Sequence, residues 1–500
     1  MLSAESSLVT AAPAQTDRIF AQFAANVLSC RHTRALASAG KRSLNIHLLM
    51  VTALLLLWKL IESPNVVLIL GGTVFFAGSC VIARNEARLT PVLITPLSWW
   101  FAWQAFSLGL CPIWIGSRIG AQQSIDYIGN SLSINNVMEG FIYYAIGSLA
   151  MHFGLQRSRP REAAAAAGRR GSSGSIAPII ALWVSGIFYS FFGKYLSAIG
   201  MLAAPLQWAT LSAACSIAIA PPRFIPARSY IHWCAILIAI AGCLVASSVI
   251  GLKFYIMLSV LPIIWFVILK GNLRKALLVL IPAIILIYLY VVEPVIGGLR
   301  FINRSANIQS SLIEYAKTGN IGEVTALEQA SVPERLDDVA TRMFSGIMVG
   351  YLVQDTKVHG LKMGETMNYV LYAVIPRLFW PDKPNVSRGA WFTAYLGAAS
   401  SEDTARTASA LTAEGELYWN FGLVGMIAGM AALGWLIGRL MWKTAGVDPR
   451  ANPIRMLAYL MTIFLVASEL EAGTMFVGIL ASTIVLRLMI KSYELFGKPS

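Results

Sequence analysis

The sequence predicts an all-α fold, a polytopic helical membrane protein with about twelve transmembrane helices and one long outer loop between spans 9 and 10. Three observations carry that expectation. Hydrophobic residues make up 57% of the 500 and charged residues only 13%, too few to clothe a soluble domain of this size. Apolar runs of roughly 20 residues, the length that crosses a bilayer, recur at 44–61, 64–83, 91–110, 137–155, 176–193, 196–220, 229–250, 254–269, 276–292, 416–438, 456–472 and 473–490. The basic residues alternate with these runs. With the N-terminus inside, inner segments hold 24 of the 39 Lys and Arg residues, and short outer connections hold Lys59, Arg118, Lys194 and Lys253. The remaining eleven fall in the long loop, where the positive-inside rule does not operate. Both termini are therefore expected on the cytoplasmic side.

Taken in order, residues 1–43 read as a flexible cytoplasmic tail, Ala- and Ser-rich with no apolar core for a signal peptide. Residues 44–155 hold spans 1–4, and 156–175 (QRSRPREAAAAAGRRGSSGS) form a basic linker suited to anionic lipid. Residues 176–292 hold spans 5–9, 293–415 the long loop, 416–490 spans 10–12, and 491–500 a cytoplasmic tail. The net charge of +14 is explained by cytoplasmic loops and does not call for nucleic acid. Six cysteines include no CxxC pair, so neither a disulfide framework, a metal site nor a metal cofactor is expected. No internal repeat is visible, which argues against a transporter built from duplicated halves.

The long loop carries the patterned chemistry. Ser331 and Glu334 suit a capping box. Behind them Leu336, Val339, Ala340, Met343, Phe344, Ile347, Tyr351 and Leu352 share one helical face. An amphipathic helix lying on the outer leaflet or across the mouth of the bundle is expected there. Met367 to Trp380 is apolar but too short to span, so it reads as interfacial or re-entrant. The turn IPRLFWPDKP follows, its Pro376, Pro381 and Pro384 forbidding a continuous helix. It brings Arg377, Asp382 and Lys383 together with Phe379 and Trp380. Arg388 and Arg406 lead on to Glu414 and Glu416, expected at the outer end of span 10 beside Tyr418, Trp419 and Asn420. Gly425, Gly429, Gly434 and Gly438 let a neighbouring helix pack closely on that span.

Arginines with carboxylates on an outer face suit glycosyl transfer from a lipid pyrophosphate. The planar guanidinium grips phosphate oxygens two at a time, and fixed cations stabilise charge on the leaving group. Arg377, Lys383 and Arg388 are the pyrophosphate candidates, with Arg342, Asp382, Trp380, Tyr418 and Asn420 as further substrate contacts. Glu414 is the preferred general base, Glu416 the second and His359, the loop's single histidine, a third. Structural pairing of Arg377 and Arg388 with Asp382, Glu402, Asp403 or the glutamates is the competing explanation.

The combination of IPRLFWPDKP (375–384), a Ser/Thr-rich segment and GELYWNFGLVGMIAGMAALGWLIG (415–438) resembles the oligosaccharide repeat-unit polymerases, the Wzy-type O-antigen and exopolysaccharide polymerases of bacteria. The likeness covers about 65 residues, together with the many-span layout and one late long loop. It implies block transfer of a growing glycan from undecaprenyl pyrophosphate onto a new lipid-linked repeat unit, at the periplasmic face of the inner membrane. On that resemblance Pro376, Arg377, Lys383, Pro384, Glu416, Asn420 and Gly422 occupy recurrent positions. The implied partners are the undecaprenyl-pyrophosphate-linked oligosaccharide, the bilayer, a chain-length regulator and a flippase. A ligase passing finished glycan to another acceptor would depend on a loop histidine, here His359. A flippase or other transporter would spread its charges among many spans.

Overall fold

The computed structural model describes residues 30–89, 96–119, 124–127, 130–158, 176–192, 205–219, 225, 229–250, 262–263, 332–373, 375, 379–383, 388–397, 400, 411–445, 453–467 and 470–496. These residues are mostly helical. Helices α1 (Cys30–Leu60) and α2 (Pro64–Leu89) pair antiparallel, and α3 (Pro96–Gln104) returns along α2. It continues through a π-helical turn (Ala105–Leu110), α4 (Cys111–Trp114) and a second π turn (Ile115–Ile119). A hairpin of β1 (Ser124–Tyr127) and β2 (Asn130–Ser133), pairing Ser124 with Ser133 and Tyr127 with Asn130, leads into α5 (Ile134–Arg157). Then follow α6 (Ala177–Phe192), α7 (Ala209–Ile219), α8 (Tyr230–Ile250), α9 (Val332–Met343) and α10 (Ser345–His359). The short α11 (Val370–Ala373) and α12 (Arg388–Tyr395) precede α13 (Ala413–Leu440), α14 (Pro453–Ala467) and α15 (Ala472–Phe496).

By length and composition four helices can cross a membrane: Gly40–Leu60, Pro64–Glu86, Ala413–Thr444 and Ala472–Ser492. Shorter apolar helices cover Ala177–Phe192, Pro205–Ile219, Tyr230–Ala246 and Pro453–Val466. The class is therefore all-α and membrane-associated, with four such helices among the described residues where the sequence showed twelve apolar runs. The runs at 254–269 and 276–292 lie outside the described residues apart from 262–263, as do most of the basic linker and Ser331 of the expected capping box.

The bundle closes around α5, because glycines remove the side chains that would hold its neighbours away. Gly140 lies directly on the backbone of Gly346 and Gly350 of α10. Further along, Gly434 and Gly438 of α13 meet Met151 of α5 and its C-cap Ser158, and Gly154 faces Ala431 and Trp435. Close backbone approach of this kind is how helices associate where water provides no driving force.

The expected amphipathic helix is corrected in two ways. It breaks at Phe344, which is extended (φ −93°, ψ 92°) and starts α10. Its second half lies on no surface: Ser345 to Gly350, Leu352, Val353 and Asp355 are buried. The apolar periodicity was real, but Gly346 and Gly350 also make the opposite face flat enough for α5. The first half, α9, is tied down by Asp337, which accepts from Trp114 Nε1 at 2.7 Å and from Arg118 Nε at 3.0 Å. Burial raises the Asp337 carboxyl, but the Arg118 and Trp114 hydrogen bonds and the Arg118 charge outweigh it and hold it below the usual range.

Helix α13 is also not the straight span expected at 416–438. Gly422 has φ 66° and ψ −168°, a region open essentially to glycine alone. The first limb, 413–421, turns back along the second, 423–440. Leu417 consequently lies against Gly429, 2.7 Å from where a Cβ would stand, although a straight helix would place residues twelve apart about 18 Å from one another. Against α5 the limbs run in opposite directions: Glu414 and Tyr418 meet Gly147 and Tyr143, whereas Met426 and Gly434 meet Gly147 and Met151. Gly425 and Gly429 thus accommodate Phe421 and Leu417 of their own helix, and only Gly434 and Gly438 receive a neighbour. Gly422→Ala is expected to cost about 1–3 kcal/mol, read as a lower unfolding temperature in detergent; an unchanged temperature would mean that the turn at Gly422 does not form.

Candidate functional site

The first limb of α13 is built from a cap and two buried polar side chains. Thr412 is the N-cap, its hydroxyl accepting from Gly415 N at 3.0 Å. Glu414 and Glu416 occupy the first turn, where carboxylates favour the positive end of a helix. The limb that carries them turns back along the rest of α13, and both are buried in the fold. Glu416 is fully buried, and Glu414 is buried against Gly147. Glu416 Oε2 accepts from Gly473 N at 2.9 Å, and Oε1 from the Thr366 hydroxyl at 3.3 Å. Asn420 donates to Thr366 Oγ1 at 2.6 Å and accepts from Gly364 N at 2.9 Å. The turn at Gly422 frees the carbonyls of Trp419 and Asn420 from the helix, and Lys362 N and Met363 N take them up at 2.9 and 3.1 Å. Glu416 and Asn420 are thereby clamps joining the limb to the 360–367 loop and to α15.

A second polar centre lies at the end of α10. Asp355, buried, receives three donors: Tyr395 Oη at 2.9 Å and His359 Nδ1 at 2.9 Å on Oδ1, and Trp419 Nε1 at 2.7 Å on Oδ2. A carboxylate can only accept, so His359 carries its proton on Nδ1 when neutral and keeps Nε2 as a base. Its side chain is 59% exposed. Around this pair Tyr395 meets Trp419 edge-on with centroids 5.1 Å apart, and Trp391 stacks on Tyr395 at 5.6 Å. The Lys362 ammonium stands 5.1 Å from the centre of the Tyr395 ring and 5.3 Å from that of Trp419, within cation–π range. Burial, then the hydrogen bond to Asp355, pushes the Tyr395 phenol well above its ordinary range, so it stays a donor.

Between these centres Lys357 Nζ meets Glu139 Oε2 at 2.6 Å. Tyr143 donates to Glu139 Oε1 at 3.2 Å and stacks on Tyr418 with centroids 5.0 Å apart. The expected residues His359, Tyr418, Asn420, Glu414 and Glu416 therefore gather around α10 and the first limb. The others do not all join them. Lys383, expected at a pyrophosphate, is buried with its ammonium on the carbonyls of Ala373 and Ile375, at 3.2 and 2.7 Å, where it closes the proline turn. Trp380 and Asp382 are exposed on that turn, and Arg342 is exposed in the last turn of α9. Arg377 and Arg406 lie outside the described residues, and for Arg388 only the backbone, opening α12, is described. No group of three or more metal-ligating side chains occurs among the described residues.

A family model described as "Domain of unknown function (DUF8712)" matches residues 116–446, about two thirds of the chain. The chain belongs to that family. The DUF8712 segment contains Glu139, Asp355, His359, Lys362, Tyr395 and the whole of α13. No curated protein and no solved structure matches the chain.

Asp355, Lys362, Trp391 and Tyr395 were not singled out from the sequence. The available signal was Asp355–His359 at i,i+4 in QDTKVHG, a spacing that puts both side chains on one helix face. Asp355→Ala leaves the Trp419 and Tyr395 donors without their acceptor and is expected to destabilise the fold by about 1–3 kcal/mol. The shift is measurable in the thermal unfolding of the purified protein followed by Trp fluorescence, and an unaltered transition would contradict the three-donor arrangement.

Proposed function

We propose that this protein is a membrane-embedded glycosyltransferase that polymerises undecaprenyl-pyrophosphate-linked oligosaccharide repeat units by block transfer at the periplasmic face of the bacterial inner membrane. The twelve-span layout, with 293–415 outside and both termini in the cytoplasm, belongs to this reading. The observation that carries it is the Asp355–His359 pair on a platform of Trp391, Tyr395 and Trp419, on the outer side in this topology and next to the segment that resembles the polymerases. His359 Nε2 takes the proton of the acceptor hydroxyl as that oxygen attacks the anomeric carbon. The glycosidic bond to the carrier breaks, and the pyrophosphate leaves with the electron pair. Asp355 holds the imidazole in the required tautomer and stabilises the imidazolium, the role a carboxylate plays behind a general base. Aromatic faces suit the apolar faces of sugar rings. Arg377 and Arg388 are the remaining pyrophosphate ligands, and the buried Glu414 is the alternative base.

The histidine pair also favours a second reading with the same donor chemistry, in which the acceptor is not a new repeat unit but another lipid or protein, as in the O-antigen ligases. A strain lacking the gene, complemented with wild type, His359→Ala, Asp355→Asn or Glu414→Ala, separates the two on a gel of surface and lipid-linked glycan. With His359→Ala a single-repeat species is expected to replace the ladder, since a general base contributes about 10² to 10⁴ in rate. Full-length chains held on the carrier lipid would instead indicate the ligase. Repeat units trapped inside the cell would indicate a flippase, and an unchanged ladder in the deletion strain would sink glycan assembly altogether.

A further inference from the structure

A chain of polar side chains runs through the packed interior between α1 and α5, away from the centres above. His47 Nδ1 and His152 Nδ1 face each other at 3.1 Å, and both residues are fully buried. Ser148 Oγ lies 3.2 Å from His47 Nε2, and Gln156 Nε2 lies 3.0 Å from His152 Nε2 and 3.2 Å from Ser43 Oγ. One direction of donation satisfies every group when the hydroxyls turn to backbone carbonyls. Ser148 donates its proton to the Ala145 carbonyl and Ser43 to that of Gly40. In that arrangement His47 donates from Nε2 to Ser148 and accepts at Nδ1, and His152 donates from Nδ1 and accepts at Nε2 from Gln156, with Ser43 Oγ a further 3.4 Å from the same nitrogen. In this arrangement all four side chains are neutral and every bond runs the same way. Ser148, His152 and Gln156 recur every four residues on one face of α5, so the chain spans about 12 Å of that helix. It starts at half-buried Gln156, beside Arg157 at the helix end, and ends at Ser148, the neighbour of the Gly147 against which Glu414 packs.

The surroundings suit a cation as well as a neutral pair. Phe101 lies 5.2 Å from the His47 ring and 5.0 Å from the His152 ring, with Trp100 at 6.3 and 6.2 Å and Phe75 at 6.2 Å from His47. One turn beyond these rings the same helices carry Ser79 and Gln104, followed by Ser107 in the π turn. The Ser79 and Ser107 hydroxyls and both polar atoms of the Gln104 amide are buried with no hydrogen-bond partner among the described residues. Orphaned groups of this kind are where internal water is held, and π turns often accompany function.

We propose that His47 and His152 form one proton-binding site inside the bundle, taking up a single proton whose charge the two rings share through the bond between their Nδ1 atoms. The proton arrives from water at the Gln156 end and binds His152 Nε2, while the Gln156 amide rotates to present its oxygen. His152 Nδ1–H is then shared with His47 Nδ1, or passes to it as His152 returns to neutral. The pair cannot hold two protons, because two imidazolium Nδ1–H groups would point at each other. At this end of the bundle the charged groups with described side chains are Lys41 and Arg42 on α1, Arg84 and Glu86 on α2, Arg157 on α5 and Glu414 across α5, while Lys59 of α1 and Glu139 of α5 lie at the far ends of their helices. Glu86 matters most, since Gly71 opposite Leu54 and Gly78 opposite Met50 carry it towards the level of Ser43.

The test is ¹⁵N NMR of full-length protein in lipid, labelled at histidine and with His32, His232 and His359 replaced by Gln, between pH 8 and pH 4. Both remaining imidazoles are expected to shift together with uptake of one proton, and to do so equally in Glu86→Gln. Two separate titrations, uptake of two protons, no change down to pH 4 with the fold intact, or loss of the response in Glu86→Gln would each overturn the site. The measurement needs no substitution at His47 or His152 and does not depend on the glycosyl-transfer reading.

Discussion

Two backbone hydrogen bonds hold the candidate site in place. At Gly422 the carbonyls of Trp419 and Asn420 exchange their helical partners for the amides of Lys362 and Met363. In an apolar surrounding a broken helix is tolerated only where its freed carbonyls find such replacements. The loop that supplies them is shaped for the task by positive φ at Gly360, Met363 and Gly364. From this exchange follow the turn of the first limb, the burial of Glu416 and Asn420, and the approach of Trp419 to Asp355. Asp355 in turn fixes the tautomer of His359, so the chemistry of an exposed imidazole is set by a glycine some sixty residues away in the sequence.

Around that exchange the bundle uses glycine for a different purpose. Gly140, Gly346 and Gly350 let α5 and α10 touch backbone to backbone, while Gly154 and Gly434 do the same for α5 and α13. Helix α5 is therefore the common axis, with the proton-binding pair on one side and the carboxylate limb on the other. The polar groups inside the bundle are accommodated by being joined to one another. Glu416 with Thr366 and Gly473, Asp355 with its three donors, and His47 with His152 all exchange hydrogen bonds that water would otherwise provide.

Composition and apolar run length were enough to read the all-α class and membrane character, because both follow from the solvent the chain must face. The glycine spacing in α13 was visible, but its meaning was divided: Gly425 and Gly429 serve a turn within the helix, and only Gly434 and Gly438 serve a neighbour. Nothing in a hydropathy profile distinguishes a Gly422 that ends one limb from the other glycines of a long span. The same holds for Lys383, whose cationic and aromatic context suggested phosphate while its reach suited two carbonyls of its own turn. Asp355 escaped notice because its importance comes from Tyr395 and Trp419, which only the fold brings to it. His47 and His152 are more than a hundred residues apart, and only the packing of α1 on α5 brings them together.

The clamp on Glu416 also bears on how the chain is assembled. Its amide donor, Gly473, is synthesised more than fifty residues later, at the start of the last helix. Until that helix arrives, burying the first limb would leave a carboxylate in the apolar interior without its Gly473 donor, which is costly. The limb must therefore wait in the aqueous or interfacial layer and dock after the C-terminal helix has been inserted. Completion of the His359 centre, through Trp419, then follows the docking of α15, and a chain that stops before Gly473 lacks the amide donor of Glu416.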